Sequence, residues 1–227
     1  MCGRFTQLFT WEELHDLYNL TNPLALNLEP SWNIAPTQEA GVIVREEQGL
    51  MHRPMRWGLA PSWAKDIGIG NQAINARIET AAEKPVFRGA WKSRRCLVPA
   101  SGFYEWREAP IPGKARPAKM PFYITRPDGL PLTFAGLWER WKDGMLSFTI
   151  LTQDACEGIA QLHDRMPVML ASDGFEAWLG GADPACDARI ARALRIAPVS
   201  SRMNSPRYND PGCVEALEPR QSAFDGI

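Results

Sequence analysis

The chain has 227 residues, of which 45% are apolar and 22% charged, and its formal net charge is −1. That length suits a single domain with material for a real core, and no apolar run approaches the roughly 18 residues a bilayer crossing needs. The near-neutral total advertises no nucleic-acid binding by itself. Five cysteines, odd in number and without a CxxC pair, argue against a disulfide framework, and three scattered histidines (15, 52, 163) supply no local zinc motif.

Thr10 followed by Glu13 reads as a capping box opening a helix with Trp11, Leu14, Leu17 and Tyr18 on one face. "EPSWNIAPTQ" (29–38) reads as a proline-bracketed loop, "AGVIVRE" (40–46) as a short apolar strand, and "MHRPMRWGLAPSW" (51–63) as strand, then loop. "AINARIET" (73–80) alternates Asn75, Arg77 and Glu79 with Ile74, Ala76 and Ile78, as a strand would. "RRCLVPASGFYEWRE" (94–108) reads as a strand pair or one bulged strand, with Gly102 at the irregularity. "APIPGKARPAKMP" (109–121) reads as a mobile hairpin loop, since strand-like "FYITR" follows at once. "LTFAGLWERW" (132–141) and "MLSFTILTQ" (145–153) read as a second hairpin around Lys142-Asp143-Gly144. Asp154 is expected to cap a helix to about Leu162, Ser172 one stopping at Gly180-Gly181, and Asp183-Pro184 a third through Arg195.

Strands thus crowd the middle, and helices lie at the N-terminus and after residue 154. That segregation predicts an α+β fold around an antiparallel sheet, and the lack of strand–helix alternation argues against a doubly wound one. One domain is expected over residues 1–220, with a frayed tail at 221–227 and a reducing, cytoplasmic location.

Charge is unevenly spread. Residues 1–51 hold two arginines against seven acids, and residues 52–96 hold nine Lys/Arg against three acids, a net of +6. Such a basic stretch either lines a groove for phosphates or is answered in space by the acidic first third. Several polar residues also sit in unusual company. Glu105 lies in "GFYEW", sharing a strand face with Phe103; it is either a proton-handling carboxyl raised by burial or an exposed hairpin glutamate. His163 in "QLHDRMP" follows a helix end, as a general acid or base or as a surface histidine. Asn75 and Arg77 form a polar row that meets a carbonyl or phosphate, or simply water. Trp63 stands among arginines, where it stacks a base or serves the core. Cys2 directly follows the initiator methionine; with Met1 trimmed it offers an amine and a thiol together, and otherwise it is an ordinary strand residue.

In order along the chain, "MCGRF", "NIAP" (33–36), "WGLAPSW" (57–63), "NARIET" (75–80), "CLVPASGFYEW" (96–106) and "LHDRMPV" (162–168) resemble the motifs of the SRAP family, the SOS response-associated peptidases or abasic site processing proteins. "PVSSRMNSPRYNDPGCVE" (198–215) is similar to the family's C-terminal signature. The resemblance implies an SRAP-like fold with an antiparallel, barrel-like β core and flanking helices. It implies removal of Met1 and a covalent crosslink between Cys2 and abasic sites in single-stranded DNA, by a monomer with neither metal nor other cofactor. By the same resemblance Asn75, Glu105 and His163 serve with Cys2 in catalysis. Arg4, Arg77 and Arg165 bind the DNA backbone, Pro36 and Trp63 wedge and stack near the lesion, and Trp106 is expected as a further DNA contact. Ala64 follows Trp63 where some members carry a second tryptophan, which implies a smaller stacking platform. On the residues alone, an N-terminal-nucleophile hydrolase, a non-catalytic single-strand binder and a general protease remain rival classes.

Overall fold

The computed structural model describes residues 2–22, 28–109 and 118–217. In chain order its strands are β1 (Phe5–Gln7), β2 (Ser31–Ile34), β3 (Glu39–Glu46), β4 (Gly49–Trp57), β5 (Asn75–Arg77) and β6 (Arg95–Ala100). They continue as β7 (Gly102–Ala109), β8 (Ala118–Thr125), β9 (Leu132–Arg140), β10 (Leu146–Asp154), β11 (Arg165–Pro167) and β12 (Arg195–Pro198). The helices are short: α1 (Trp11–Tyr18), α2 (Ile78–Ala81), α3 (Arg88–Ser93), α4 (Glu157–Ala160), α5 (Phe175–Leu179) and α6 (Ala188–Ala193).

One sheet runs β12-β8-β7-β1-β2 and is antiparallel throughout. The other runs β10-β4-β3-β6-β9 and then closes, because β9 pairs back onto β10. This ring is the expected barrel-like core, and closure leaves its five strands without a free edge along the paired stretches. Two pairings depart from a purely antiparallel sheet. β10 runs parallel to β4 at Phe148↔Trp57 and parallel to β5 at Ile150↔Asn75. One long strand thereby receives two successive segments of the chain on the same side.

Period-two alternation decides which layer each ring residue fills. Val42, Val44, Cys96, Val98 and Phe134 enter the core that also holds Cys2, Phe5 and Phe103 of the first sheet. Their neighbours Ile43, Leu97, Ala135 and Leu137 point the other way, against Trp11, Leu14 and Tyr18 of α1. That helix begins as its sequence predicts. Thr10 accepts from the Glu13 N–H at 3.2 Å, and the Glu13 carboxylate accepts from the Thr10 N–H at 2.7 Å.

Several boundaries differ from expectation. Residues 31–34 of the supposed loop form β2, because Pro30 and Pro36 bracket the strand rather than interrupt it. The chain 94–108 yields two strands, but β6 and β7 belong to different sheets. β5 stops at Arg77, and Ile78 starts a helix instead of continuing the alternation. Asp154 ends β10 rather than capping, and α4 spans only Glu157–Ala160. Asp187, not Asp183, caps α6, its carboxylate accepting from the Arg189 and Ile190 N–H groups. The second hairpin, β9–β10, and the stop at Gly180 fall where expected, but α5 starts at Phe175 behind Gly174 with no side-chain cap, while Ser172 opens a separate 3-10 turn. The loop expected at 109–121 falls mostly on residues 110–117, and the tail at 221–227 falls entirely, outside the described residues; β7 and β8 pair as the hairpin on either side of that loop.

Candidate active site

The first residues of the chain are laid along β7. Phe5 opposes Phe103, and the Tyr104 N–H donates to the Arg4 carbonyl at 2.9 Å. Carried two residues further back, the chain brings Cys2 beside Glu105, whose charge acts on the thiol. On the other side stands Asn75 at the start of β5, whose Nδ2 donates to the Cys2 carbonyl at 2.8 Å. Its Oδ1 is buried and has no hydrogen-bond partner among the described residues, an acceptor held ready for a donor. Sequence motifs 73 residues apart thus meet on one residue.

Both reactive groups are buried. The Cys2 side chain is fully enclosed; burial pushes its thiol well above the usual range, and the charge of Glu105 adds to that, so the group is a neutral thiol at pH 7. Glu105 is 1% exposed, and burial raises its carboxyl from 4.5 to about 7. The positive amino terminus opposes that rise, and Asp164 reinforces it. A carboxyl poised near neutrality gives and takes a proton with equal ease.

His163 stands just past α4, partly exposed. Burial lowers its pKa, the amino terminus lowers it further, and Asp164 resists. Its Nδ1 accepts from the backbone N–H of Arg165 at 3.0 Å and also lies 2.6 Å from Asp164 Oδ1. These contacts call for opposite protonation of one nitrogen. The amide governs, because its direction is fixed by the chain, whereas the Asp164 side chain is 79% exposed and hydrated. The neutral imidazole therefore carries its proton on Nε2.

The residues expected to contact DNA fall into separate groups. Trp63 is 60% exposed in the loop after β4; Arg77 is exposed and Pro36 half-buried. Ala64 behind Trp63 is buried, its carbonyl accepting from Trp141 Nε1 at 3.0 Å. Arg4 and Trp106 lie on the face of β7 opposite Glu105, joined through Asn204. Arg4 also donates to Asn33 Oδ1 at 2.7 Å and to the Met203 carbonyl at 3.0 Å. Arg165 is 6% exposed, with its guanidinium held by Glu79, Asp154 and the Thr152 carbonyl. For Arg4 or Arg165 to reach a phosphate, these partners must first be exchanged.

Sequence reasoning missed Asp164, Glu79 and Asp154 as parts of the site, and Asn33 as a hub whose Nδ2 faces three carbonyls of residues 203–208. The signal available for Glu79 was its place in the polar row with Asn75 and Arg77. No group of three or more His, Cys, Asp or Glu placed to hold a metal occurs among the described residues, and no helix there is long and apolar enough to cross a membrane.

A carboxyl raised to about 7 and an amide with an unpartnered oxygen thus stand beside the thiol of the second residue. The chain belongs to the SRAP family, described as SOS response associated peptidase, whose profile matches residues 1–206. It is 35% identical to the abasic site processing protein YoaM of Bacillus subtilis, across 95% of this chain and 98% of that one. It is 32% identical to the abasic site processing protein YedK of Escherichia coli, across 79% of each. Among solved structures, a phage-related protein from Bordetella bronchiseptica superposes with a TM-score of 0.65 at 31% identity, covering 87% of this chain and 94% of that one. A protein from Bacteroides thetaiotaomicron shares the fold with a TM-score of 0.78 at 23% identity, covering 96% and 100%.

Proposed function

We propose that this protein captures abasic sites in single-stranded DNA covalently through Cys2, once Met1 has been removed. An abasic deoxyribose equilibrates between a closed ring and an open aldehyde. The freed α-amine adds to the aldehyde carbon, and loss of one water leaves an imine. The Cys2 thiol then adds across the C=N bond, its proton passing to nitrogen, and closes a five-membered thiazolidine. Closure is intramolecular, so proximity favours it strongly. A protonated thiol is suited to this second position, because the amine has already made the electrophile.

Glu105 takes the proton from the amine and returns it to the departing hydroxyl. His163 hands protons to and from the sugar oxygens as the ring opens. Asn75 holds the Cys2 backbone and offers its Oδ1 to the amine. The same groups serve removal of Met1: the thiol attacks the Met1 carbonyl, the Cys2 nitrogen leaves as a free amine, and water cleaves the thioester. Arg77 and Trp63 meet the backbone and bases directly, and Pro36 wedges beside the lesion. Arg4, Trp106 and Arg165 shape the trough. The protein works as a monomer in a reducing cytoplasm, in keeping with five free cysteines.

The observation that carries this reading is the convergence of the Asn75 amide and the Glu105 carboxyl on Cys2. Its test is to mix the protein with an abasic oligonucleotide and weigh the N-terminal peptide. The expected gain is the oligonucleotide less one water, on a peptide beginning at Cys2. A Cys2→Ala protein that still forms a heat-stable adduct overturns the assignment.

A further inference from the structure

Arg165 enters the site twice. Its backbone N–H meets His163 Nδ1, while its guanidinium is gripped from outside. Nη1 donates to Glu79 Oε1 at 2.8 Å and Asp154 Oδ1 at 2.6 Å; Nη2 donates to Glu79 Oε2 at 2.9 Å and the Thr152 carbonyl at 2.6 Å. The Glu79 contact is bidentate, the geometry that fixes a guanidinium most firmly, whereas the Asp154 side chain is 91% exposed and makes the weaker hold. Glu79 comes from the start of α2 and Asp154 from the end of β10, so the grip joins three elements. β11 pairs with the last three residues of β10, and the ladder continues on both sides of it, the Ala155 N–H donating to the Asp164 carbonyl and the Val168 N–H to the Leu151 carbonyl, each at 2.9 Å. The ladder fixes the path of the backbone, and the clamped guanidinium adds a side-chain anchor at Arg165 itself.

Two groups contend for His163 Nδ1, the Arg165 amide as donor and the Asp164 carboxylate as acceptor. If the amide moves away, Nδ1 passes to Asp164 and takes up the proton. Nε2 then loses its hydrogen, and the only ring nitrogen left for substrate changes from donor to acceptor. We infer that Glu79 and Asp154 are positioning residues of this site: by clamping the Arg165 guanidinium they keep its amide on His163 Nδ1, and so keep the donor proton on Nε2. The inference rests on the role proposed above for His163.

The test uses Glu79→Ala, Asp154→Ala and the double variant in the full chain, with Glu79→Gln as the conservative control. Nitrogen-15 NMR of the imidazoles reports the tautomer of neutral His163 directly; the chain has only three histidines, and His163→Ala assigns the signal. Crosslinking to an abasic oligonucleotide is timed under single turnover, and non-covalent binding is measured with the intact strand. The double variant is expected to move His163 from the Nε2–H to the Nδ1–H form and to slow crosslinking by about tenfold or more. Intact-strand affinity is expected to hold or rise, since two carboxylates have gone. Glu79→Gln, which keeps one accepting oxygen, should stay near the parent in both. An unchanged tautomer, or a rate that falls only as far as binding falls, overturns the inference. If the double variant does not fold, Glu79→Ala and Asp154→Ala are read together: a partial shift toward the Nδ1–H form in both supports the clamp, and an unchanged tautomer in both overturns it. Should the parent form no crosslink at all, the proposed function fails while the NMR comparison still judges the clamp.

Discussion

Glu105→Gln separates the cost of burying a carboxylate from its use. An ordinary glutamate in an unfolded chain loses its proton near 4.5, whereas Glu105 in the fold loses it near 7, chiefly because it is buried. The folded pKa is the higher one, so between these values the folded state binds more protons than the unfolded state. Stability from this group is therefore intact below pH 4.5, falls as pH rises through 4.5 to 7, and levels off above. At 1.36 kcal/mol per pH unit the gap corresponds to about 3 kcal/mol. Glutamine keeps the shape and never ionises. The variant is expected to match the parent at pH 4 and to exceed it by up to about 3 kcal/mol at pH 8, while crosslinking slows. Urea unfolding of both proteins from pH 4 to pH 8, compared at equal slope, reads the difference. A gain of equal size at pH 4 and pH 8, or a loss at pH 8, refutes the reasoning that burial of a charge underlies the raised pKa.

His52 should act in the opposite direction. Burial lowers its imidazole from 6.5 to about 4, so stability is lost as pH falls through that window, in full about 3 kcal/mol. His52→Leu is expected to shift the acid unfolding midpoint downward, and an unmoved midpoint would place the acid sensitivity elsewhere. Trp63→Ala removes an exposed side chain, so thermal stability should stay within about 0.5 kcal/mol of the parent. Affinity for an undamaged single strand should drop by about 1–3 kcal/mol in an anisotropy titration; equal affinity would take Trp63 out of the trough.

Local chemistry carried most of the readable signal. The Thr10–Glu13 box, the β9–β10 hairpin and the apolar run of β3 each need only neighbours in sequence, and each appears as expected. Two helix starts failed for different reasons: Asp154 is held by Arg165, a partner in another element, and Asp187 rather than Asp183 caps α6. The same holds within the site. Cys2, Asn75, Glu105 and His163 each stood out as a polar group in unusual surroundings, and the fold brings Asn75 and Glu105 to Cys2. Burial of the Arg165 guanidinium was invisible, because it depends on carboxylates supplied by α2 and β10. Period and spacing reveal which face a residue shares, and say little about which distant side chain answers its charge.

The tie between Arg4 and the Met203 carbonyl spans 199 positions along the chain. A ribosome releases the first of these partners at the outset and the second only near the end of translation. The front of the polypeptide therefore fastens in stages, first to β2, then to Asn75 and β7, and receives its last tie from residues 203 and 204.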